Sequence, residues 1–168
     1  MRFTLDAETP GEVLELEPSR ITGILVRLNL ESSPYLLVTL GADGSIERLG
    51  RGERDILTGT GALDLFQELR GKVTPGVLRW AGQSWSDPFP RGKSCQLVLG
   101  FKQGEGREIV TRWDYGSESP EPPAEILDFV VAAVETTNPW YRRRKELERR
   151  KRRPAEAPGW RLVSLWPT

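Results

Sequence analysis

Side-chain acid–base chemistry in this protein is restricted to a few residue types. The sequence has no His and a single Cys, Cys95. Ser-His-Asp and Cys-His mechanisms are therefore excluded, as are His-containing zinc sites and Cys-rich metal sites. Carboxylates are the remaining candidates for general acid and base, and Asp87 and Asp114 both lie near aromatic residues. An enzyme that uses these two carboxylates is one hypothesis, although no catalytic motif accompanies them, and we expect no cofactor and no metal.

Cys95 is predicted to be structural rather than catalytic. It alternates with Leu97, Leu99 and Phe101 along one face of a strand, a position typical of a buried, unreactive thiol. One cysteine permits no internal disulfide, which agrees with a reducing compartment. The sequence also lacks an apolar run of the roughly 18 residues that a membrane span needs. We therefore expect a cytoplasmic protein with no membrane partner.

The strongest charge feature of the sequence lies between residues 142 and 153. Nine Lys and Arg accompany two Glu there, whereas residues 1–141 hold 14 Lys and Arg against 21 Asp and Glu. An acidic body with a net charge of −7 thus carries a basic segment with a net charge of +7. The nine cations are Arg142, Arg143, Arg144, Lys145, Arg149, Arg150, Lys151, Arg152 and Arg153.

The basic segment is predicted to be a separate helix that begins at Asn138 and Pro139, because Asn is a favourable N-cap and proline fits the first helical turn. Opposite charges recur four residues apart, which stabilises a helix by about 0.2–0.5 kcal/mol per pair. The pairs are Arg142–Glu146, Arg144–Glu148, Glu146–Arg150 and Glu148–Arg152. Trp140 and Leu147 form only a narrow apolar seam, so we expect this helical arm to project or to lie lightly on the body.

Two interpretations of the arm stay open. It is either a solvated, salt-bridged helix that neutralises its own acidic body, or a helix that binds an acidic partner. Arg outnumbers Lys by seven to two in residues 142–153, and Arg makes bidentate contacts with carboxylates and phosphates. The partner would be an acidic protein surface or nucleic acid, although the acidic body repels a nucleic-acid backbone. We expect a protein partner, with direct nucleic-acid binding through residues 142–153 as an alternative.

A loop over residues 80–93 keeps three large aromatic side chains among Gly, Ser and Pro. They are Trp80, Trp85 and Phe89. Such side chains either fold back as a lid over the core or form a surface for a partner, with Trp85 as its anchor. The sequence therefore predicts a non-enzymatic binding or accessory protein that uses its basic arm and this aromatic loop.

Period-two alternation of apolar residues predicts strands over the first two thirds of the chain. Residues 21–30, 35–40 and 45–50 are expected to be consecutive antiparallel neighbours, because the turn between the last two is rich in Gly and Asp. Residues 95–102 and 107–115 are expected to form a second hairpin.

Two further segments have helical spacing. Residues 62–70 predict a short helix closed by Gly71, and residues 124–138 predict a longer helix with a wide apolar stripe. The expected fold is α+β: a mainly antiparallel sheet of about five to seven strands, one long helix packed on a face, a short helix between hairpins, and the basic helical arm at the C-terminus.

The domain organisation follows from these assignments. We expect a globular domain over residues 1–138, the basic arm over 139–153, and a linker with an apolar segment over 154–168. The last segment contains Trp160, Leu162 and Trp166. It is either a final strand that rejoins the sheet or a docking motif for another chain, and a strand that completed a neighbour's sheet would give a homodimer by exchange.

Overall fold

A seven-stranded sheet organises residues 16–152, the part of the chain that the computed structural model describes. The strands are β1 (Ile21–Leu30), β2 (Ser33–Gly41), β3 (Ile46–Leu49), β4 (Leu57–Gly59), β5 (Ser84–Ser86), β6 (Ser94–Gln103) and β7 (Arg107–Gly116). Their order across the sheet is β4-β3-β2-β1-β6-β7-β5. All neighbours are antiparallel except β5 and β7, which run parallel. The predicted hairpins and the mainly antiparallel sheet are confirmed.

Three helices pack on one face of this sheet. They are α1 (Leu63–Gly71), α2 (Pro75–Leu78) and α3 (Ala124–Arg152), and a short 3-10 turn at Pro18–Arg20 precedes β1. The first two lie in the connection between β4 and β5, and α3 follows β7. This arrangement confirms the α+β fold with a long helix on the sheet and a short helix between the hairpins.

The core lies between the sheet and the helices. Val26 pairs in register with Val38 on one side and Leu99 on the other, so the apolar residues of β1, β2 and β6 share a face. Phe66 of α1 and Phe129 of α3 close this layer from above, and both are buried. Burial of apolar area in such a layer is the main stabilising term of the fold.

Arg48 of β3 is the one charged side chain that the structure buries within residues 16–152, at 2% exposure. It points toward α3 because it pairs with the inward-facing Val38. Its Nε donates to Thr137 Oγ1 at 3.0 Å, and Nη1 donates to the Leu49 carbonyl. Its guanidinium also lies 5.1 Å from the ring centre of Tyr141. Burial lowers the pKa of Arg48, and its hydrogen bonds join the middle of α3 to the sheet.

Helix α3 is continuous through Pro139, so the prediction of a separate helix beginning at Asn138 is wrong. Proline inside a helix typically costs about 3 kcal/mol, because one backbone hydrogen bond is lost. Packing against the body on both sides of Pro139 offsets this cost: Thr137 is buried before it, and Trp140 packs on the core after it. Pro139 itself is exposed. The basic arm is therefore a direct extension of the core helix.

Docking of the second half of α3 requires glycine on the sheet. A Cβ at Gly59 of β4 would lie 2.7 Å from Cζ2 of Trp140. We expect Gly59→Ala to destabilise the fold by about 1–3 kcal/mol through this overlap, measured as a lower urea midpoint. The matched control is Gly71→Ala in α1, where a Cβ meets nothing, and it should be neutral or slightly stabilising. Equal midpoints for Gly59→Ala and wild type would contradict the observed packing of Trp140.

Candidate functional site

The basic arm lies along the β4 edge of the sheet, with one side turned toward the body. Lys145 forms an ion pair with Glu53, and Arg152 pairs with Asp55 at 3.3 Å. A groove of about 470 Å³ separates the arm from β4. Arg144 lines this groove, and its Nε is buried without a hydrogen-bond partner. The inward side of the arm thus neutralises part of the acidic body.

Ion pairs within the arm follow the predicted spacing only in part. Arg144 pairs with Glu148 at 3.5 Å, and Arg150 pairs with Glu146 at 2.5 Å. The predicted pairs Arg142–Glu146 and Glu148–Arg152 do not form. Surface pairs of this kind contribute little to stability, with a typical value below about 1 kcal/mol. Here each pair neutralises one cation of the arm and so lowers the positive charge that a partner can contact.

The opposite side of the arm points away from the body and carries what we call the outer arginine stripe. The stripe consists of Arg142, Arg143, Arg149 and Arg150, all exposed. At 100° per residue these four positions occupy an arc of about 120°, centred opposite the arc that holds Trp140, Arg144, Lys145 and Arg152. Within residues 16–152, Arg142, Arg143 and Arg149 make neither an ion pair nor a hydrogen bond. The stripe is therefore a region of surplus positive charge, diminished only by Glu146.

The aromatic loop places its three large side chains in different surroundings. Trp80 is half-buried and packs against the core, whereas Trp85 is 41% exposed and Phe89 is 81% exposed. The lid interpretation is therefore wrong for Trp85 and Phe89. Its failure has a physical reason, because β5 is an edge strand whose residues are all exposed, and residues 88–94 beyond it are exposed as well.

Asp87 holds the exposed end of this loop. Its backbone N–H donates to the Asp114 carbonyl at 2.9 Å, and its Oδ1 accepts from the Phe89 N–H at 2.8 Å. Hydrogen bonds from the Ser119 side chain and from the Phe89 N–H lower the pKa of Asp87. The carboxylate thus fixes the turn that presents Phe89 to solvent.

Asp87 should make the loop sensitive to pH. The pKa of Asp87 in the folded state is below the ordinary Asp value near 3.9. The ionised carboxylate therefore stabilises the folded loop fully above about pH 3.9, and this stabilisation is lost as the pH falls through the folded-state pKa. We expect the NMR signal of the Phe89 amide to titrate with a midpoint below 3.9, and this titration to vanish in Asp87→Asn. The control is Asp128→Asn on α3, which should leave the titration unchanged. A midpoint at or above 3.9 would contradict the hydrogen bonds described.

Asp87 and Asp114 line the same cavity, of about 320 Å³, as the enzyme hypothesis requires. Asp114 Oδ1 accepts from Gln96 Nε2 at 2.9 Å. General acid catalysis at neutral pH needs a carboxyl group whose pKa is raised. The pKa of Asp87 is lowered instead, so this carboxylate stays ionised at neutral pH. The cavity therefore brings the two residues together without supplying a general acid at Asp87, and catalysis stays an untested alternative.

Cys95 lines this cavity too and is half-buried rather than fully enclosed. Burial, followed by the charge of Glu31, raises the pKa of the thiol. A protonated thiol is a poor nucleophile and a poor metal ligand at neutral pH. Residues 16–152 also contain no group of three or more Cys, Asp or Glu placed to hold a metal ion.

Sequence reasoning missed Arg48 as a structural residue, and it missed that Arg27 and Arg112 flank Val98 on one face of the sheet. The sequence does indicate that Arg48 faces the core, because period-two alternation places it on the same face as Ile46. No sequence pattern indicates that Arg27 and Arg112 lie close together, because their positions depend on the strand order β1-β6-β7 and on the register of both strand pairings.

Several predicted residues lie outside the described part of the chain. They are Arg153 of the arm and Trp160, Leu162 and Trp166 of the C-terminal segment. The predictions that this segment is a strand, a docking motif or the basis of an exchanged homodimer remain predictions.

Comparison with known proteins identifies no relative, because no family model, curated protein or solved structure matches this chain. The class that the structure defines is an α+β protein with a seven-stranded mixed sheet and a long C-terminal helix. Across residues 16–152, no helix combines the length and the apolar character needed to cross a membrane.

Proposed function

We propose that this protein is a non-enzymatic binding protein whose outer arginine stripe engages an acidic surface on a protein partner. The observation that supports this proposal most directly is that Arg142, Arg143 and Arg149 are exposed and have no ion pair among residues 16–152. Arginines that served only to neutralise the body would pair with its carboxylates, as Lys145 does with Glu53.

The stripe is presented by an anchored helix, which favours binding. Arg48 and Trp140 fix α3 to the sheet just before the stripe begins. Arg142 and Arg149 lie about 10.5 Å apart along the helix axis, at 1.5 Å per residue. A partner's carboxylates can therefore meet a fixed row of guanidinium groups, and less conformational entropy is lost on binding than with a flexible tail.

A protein partner fits these charges better than nucleic acid does. Residues 1–141 carry a net charge of −7, so a long phosphate backbone would be repelled wherever it passed the body. Glu146 also interrupts the stripe, which a partner with discrete carboxylates tolerates more readily than a continuous polyanion. Direct nucleic-acid binding is the alternative that the experiment below must distinguish.

The aromatic loop would be a second contact surface, separate from the stripe. The arm lies at the β4 edge and the loop at the β5 edge, with six strand spacings between them. At about 4.8 Å per spacing, the two edges lie about 29 Å apart along the sheet. Phe89, held outward by Asp87, is the anchor we propose there, for a partner large enough to reach both edges.

We also propose a cytoplasmic location for this protein. Cys95 is a free thiol, as is usual in a reducing compartment. Microscopy of the tagged chain in its native cell would test this proposal, and exclusive signal outside the cytoplasm would contradict it.

Affinity capture from the native cell tests the binding proposal. The baits are the intact chain and an Arg142→Gln/Arg143→Gln/Arg149→Gln variant, each with and without nuclease treatment, and the captured proteins are quantified by mass spectrometry. We expect an acidic protein to be retained after nuclease treatment by the wild type and to be lost with the variant. Capture that disappears on nuclease treatment would favour the nucleic-acid alternative, and equal capture by both baits would contradict the role of the stripe.

A further inference from the structure

Two arginines lie close together on the sheet face opposite the helices. Arg27 of β1 pairs in register with Val98 of β6, and Val98 pairs with Arg112 of β7. Cross-strand partners share a face, so both arginines lie on the side that Arg27 already takes by alternation with Val26 and Leu28. The Cα atoms of Arg27 and Arg112 are two strand spacings apart, about 9.5 Å. Two arginine side chains can reach a common point across this distance.

These two arginines lack compensation within residues 16–152. The Nε atom of each is buried and has no hydrogen-bond partner, and neither forms an ion pair. Val98, which lies between them, is 0% exposed, as expected when arginine stems cover an apolar side chain. Burial and the charge of Arg112 lower the pKa of Arg27, which agrees with two like charges held close together.

Nearby charges on this face do not serve as counterions for the pair. Asp114 lies two residues from Arg112 along β7, but its Oδ1 accepts from Gln96 and it makes no ion pair with either arginine. Lys102, further along β6, has its own ion pair with Glu108 at 3.4 Å. Within residues 16–152, Arg27 and Arg112 thus have no ion-pair partner, whereas Lys102 and Asp114 have partners of their own.

We propose that Arg27 and Arg112 form a binding site for a doubly charged oxyanion with the chemistry of a phosphate group. Such an ion would balance both guanidinium charges and would accept hydrogen bonds from the guanidinium N–H groups of both arginines. A phosphate has oxygens for two arginines at once, whereas a single carboxylate has one charge and two oxygens. The site lies in the middle of the sheet and does not depend on the outer arginine stripe.

NMR of the arginine Nε–H groups in the ¹⁵N-labelled full chain tests this site. The chain is titrated with inorganic phosphate, and with sodium chloride and sodium acetate at equal ionic strength. We expect saturable shifts of two Nε–H signals with phosphate only, and these signals are assigned by their loss in Arg27→Gln and in Arg112→Gln. Shifts that are no larger than with chloride, or that do not saturate, would overturn the proposal.

Thermal unfolding gives a second measurement that separates binding from folding. Phosphate should raise the Tm of the wild type, and Arg112→Gln should weaken phosphate binding at least 10-fold and abolish the rise. Arg142→Gln is the matched control and should keep the full rise. A rise in Tm for Arg112→Gln equal to that of the wild type would contradict the site. If Arg112→Gln does not fold, the NMR titration of the wild type with phosphate is the test of the site. Phenyl phosphate distinguishes a phosphate ester from free phosphate as the ligand. Tighter binding of phenyl phosphate than of inorganic phosphate indicates an ester, and equal binding indicates the free anion. Both results support the site.

Discussion

Arg48→Ala is expected to destabilise the protein by about 3–5 kcal/mol, a large share of the roughly 5–15 kcal/mol that stabilises a typical domain. The substitution leaves a cavity between β3 and α3, which alone costs about 2–5 kcal/mol for a large side chain. It also removes the donor to the Leu49 carbonyl and the bond to Thr137. Urea unfolding followed by circular dichroism measures this loss.

Two further substitutions test the cause of that loss. Arg48→Met fills most of the volume without a charge and should be much less destabilising than Arg48→Ala, because a buried charge can often be replaced by an apolar side chain at little cost. Arg54→Ala removes an exposed arginine and should change stability by less than about 0.5 kcal/mol. An Arg48→Ala variant as stable as Arg54→Ala would show that Arg48 does not hold α3 on the sheet.

The second large effect concerns binding through the outer arginine stripe. Arg142→Gln/Arg143→Gln/Arg149→Gln is expected to weaken affinity for the captured partner on the order of 100-fold. Each lost charge contributes at most about 1 kcal/mol at such a surface, so three charges together approach the roughly 2.7 kcal/mol that corresponds to 100-fold. Gln retains helix propensity, so the unfolding free energy should stay close to that of the wild type. Isothermal titration calorimetry at 0.15 M salt measures the affinity.

The matched control for this prediction removes cations from the inward side of the same helix. Lys145 and Arg152 pair with Glu53 and Asp55 of the body, so Lys145→Gln/Arg152→Gln should weaken binding less than about 5-fold. Higher salt should weaken the wild type and hardly affect the stripe variant, because exposed charges are screened. A control that lost as much affinity as the stripe variant would mean that total charge matters and that the face of the helix does not.

One interpretation of the basic arm, neutralisation of the body, is seen on one side of the helix, and the binding interpretation is our proposal for the other side. Lys145 and Arg152 neutralise carboxylates of the body, while the stripe has unpaired cations turned to solvent. The sequence could not distinguish these sides, because the orientation of the arm is set by where Trp140 packs. Once α3 is docked at Trp140, the helical period decides which arginines face outward.

The sheet was predictable where local pattern and turn chemistry agree. Alternation identified β1, β2 and β3 and the hairpin of β6 and β7, all of which the structure contains. The turn at Glu31 and Ser32 shows the limit of turn chemistry. Both residues have positive φ values, 50° and 65°, without Gly or Asn. Pairing of the apolar faces of β1 and β2 therefore imposes a backbone conformation that the turn residues disfavour.

The elements that sequence reasoning missed depend on distant contacts. The strands β4 and β5 have three residues each, too few to show alternation, and each exists by pairing with an edge of the sheet. Proline at position 139 indicated a helix start from local preferences, but packing of the residues around it keeps α3 continuous. The cavity shared by Asp87 and Asp114 likewise depends on the parallel pairing of β5 with β7.

Chemical modification of arginines in the presence of the bound partner tests the role of the stripe most directly. The protein is treated with phenylglyoxal, with and without the partner, and modification at each arginine is measured by mass spectrometry. If the stripe is the contact surface, Arg142, Arg143 and Arg149 should be protected at least 10-fold by the partner, while Arg54 should react equally in both samples. Equal modification of those three residues with and without bound partner would contradict binding through this face of α3.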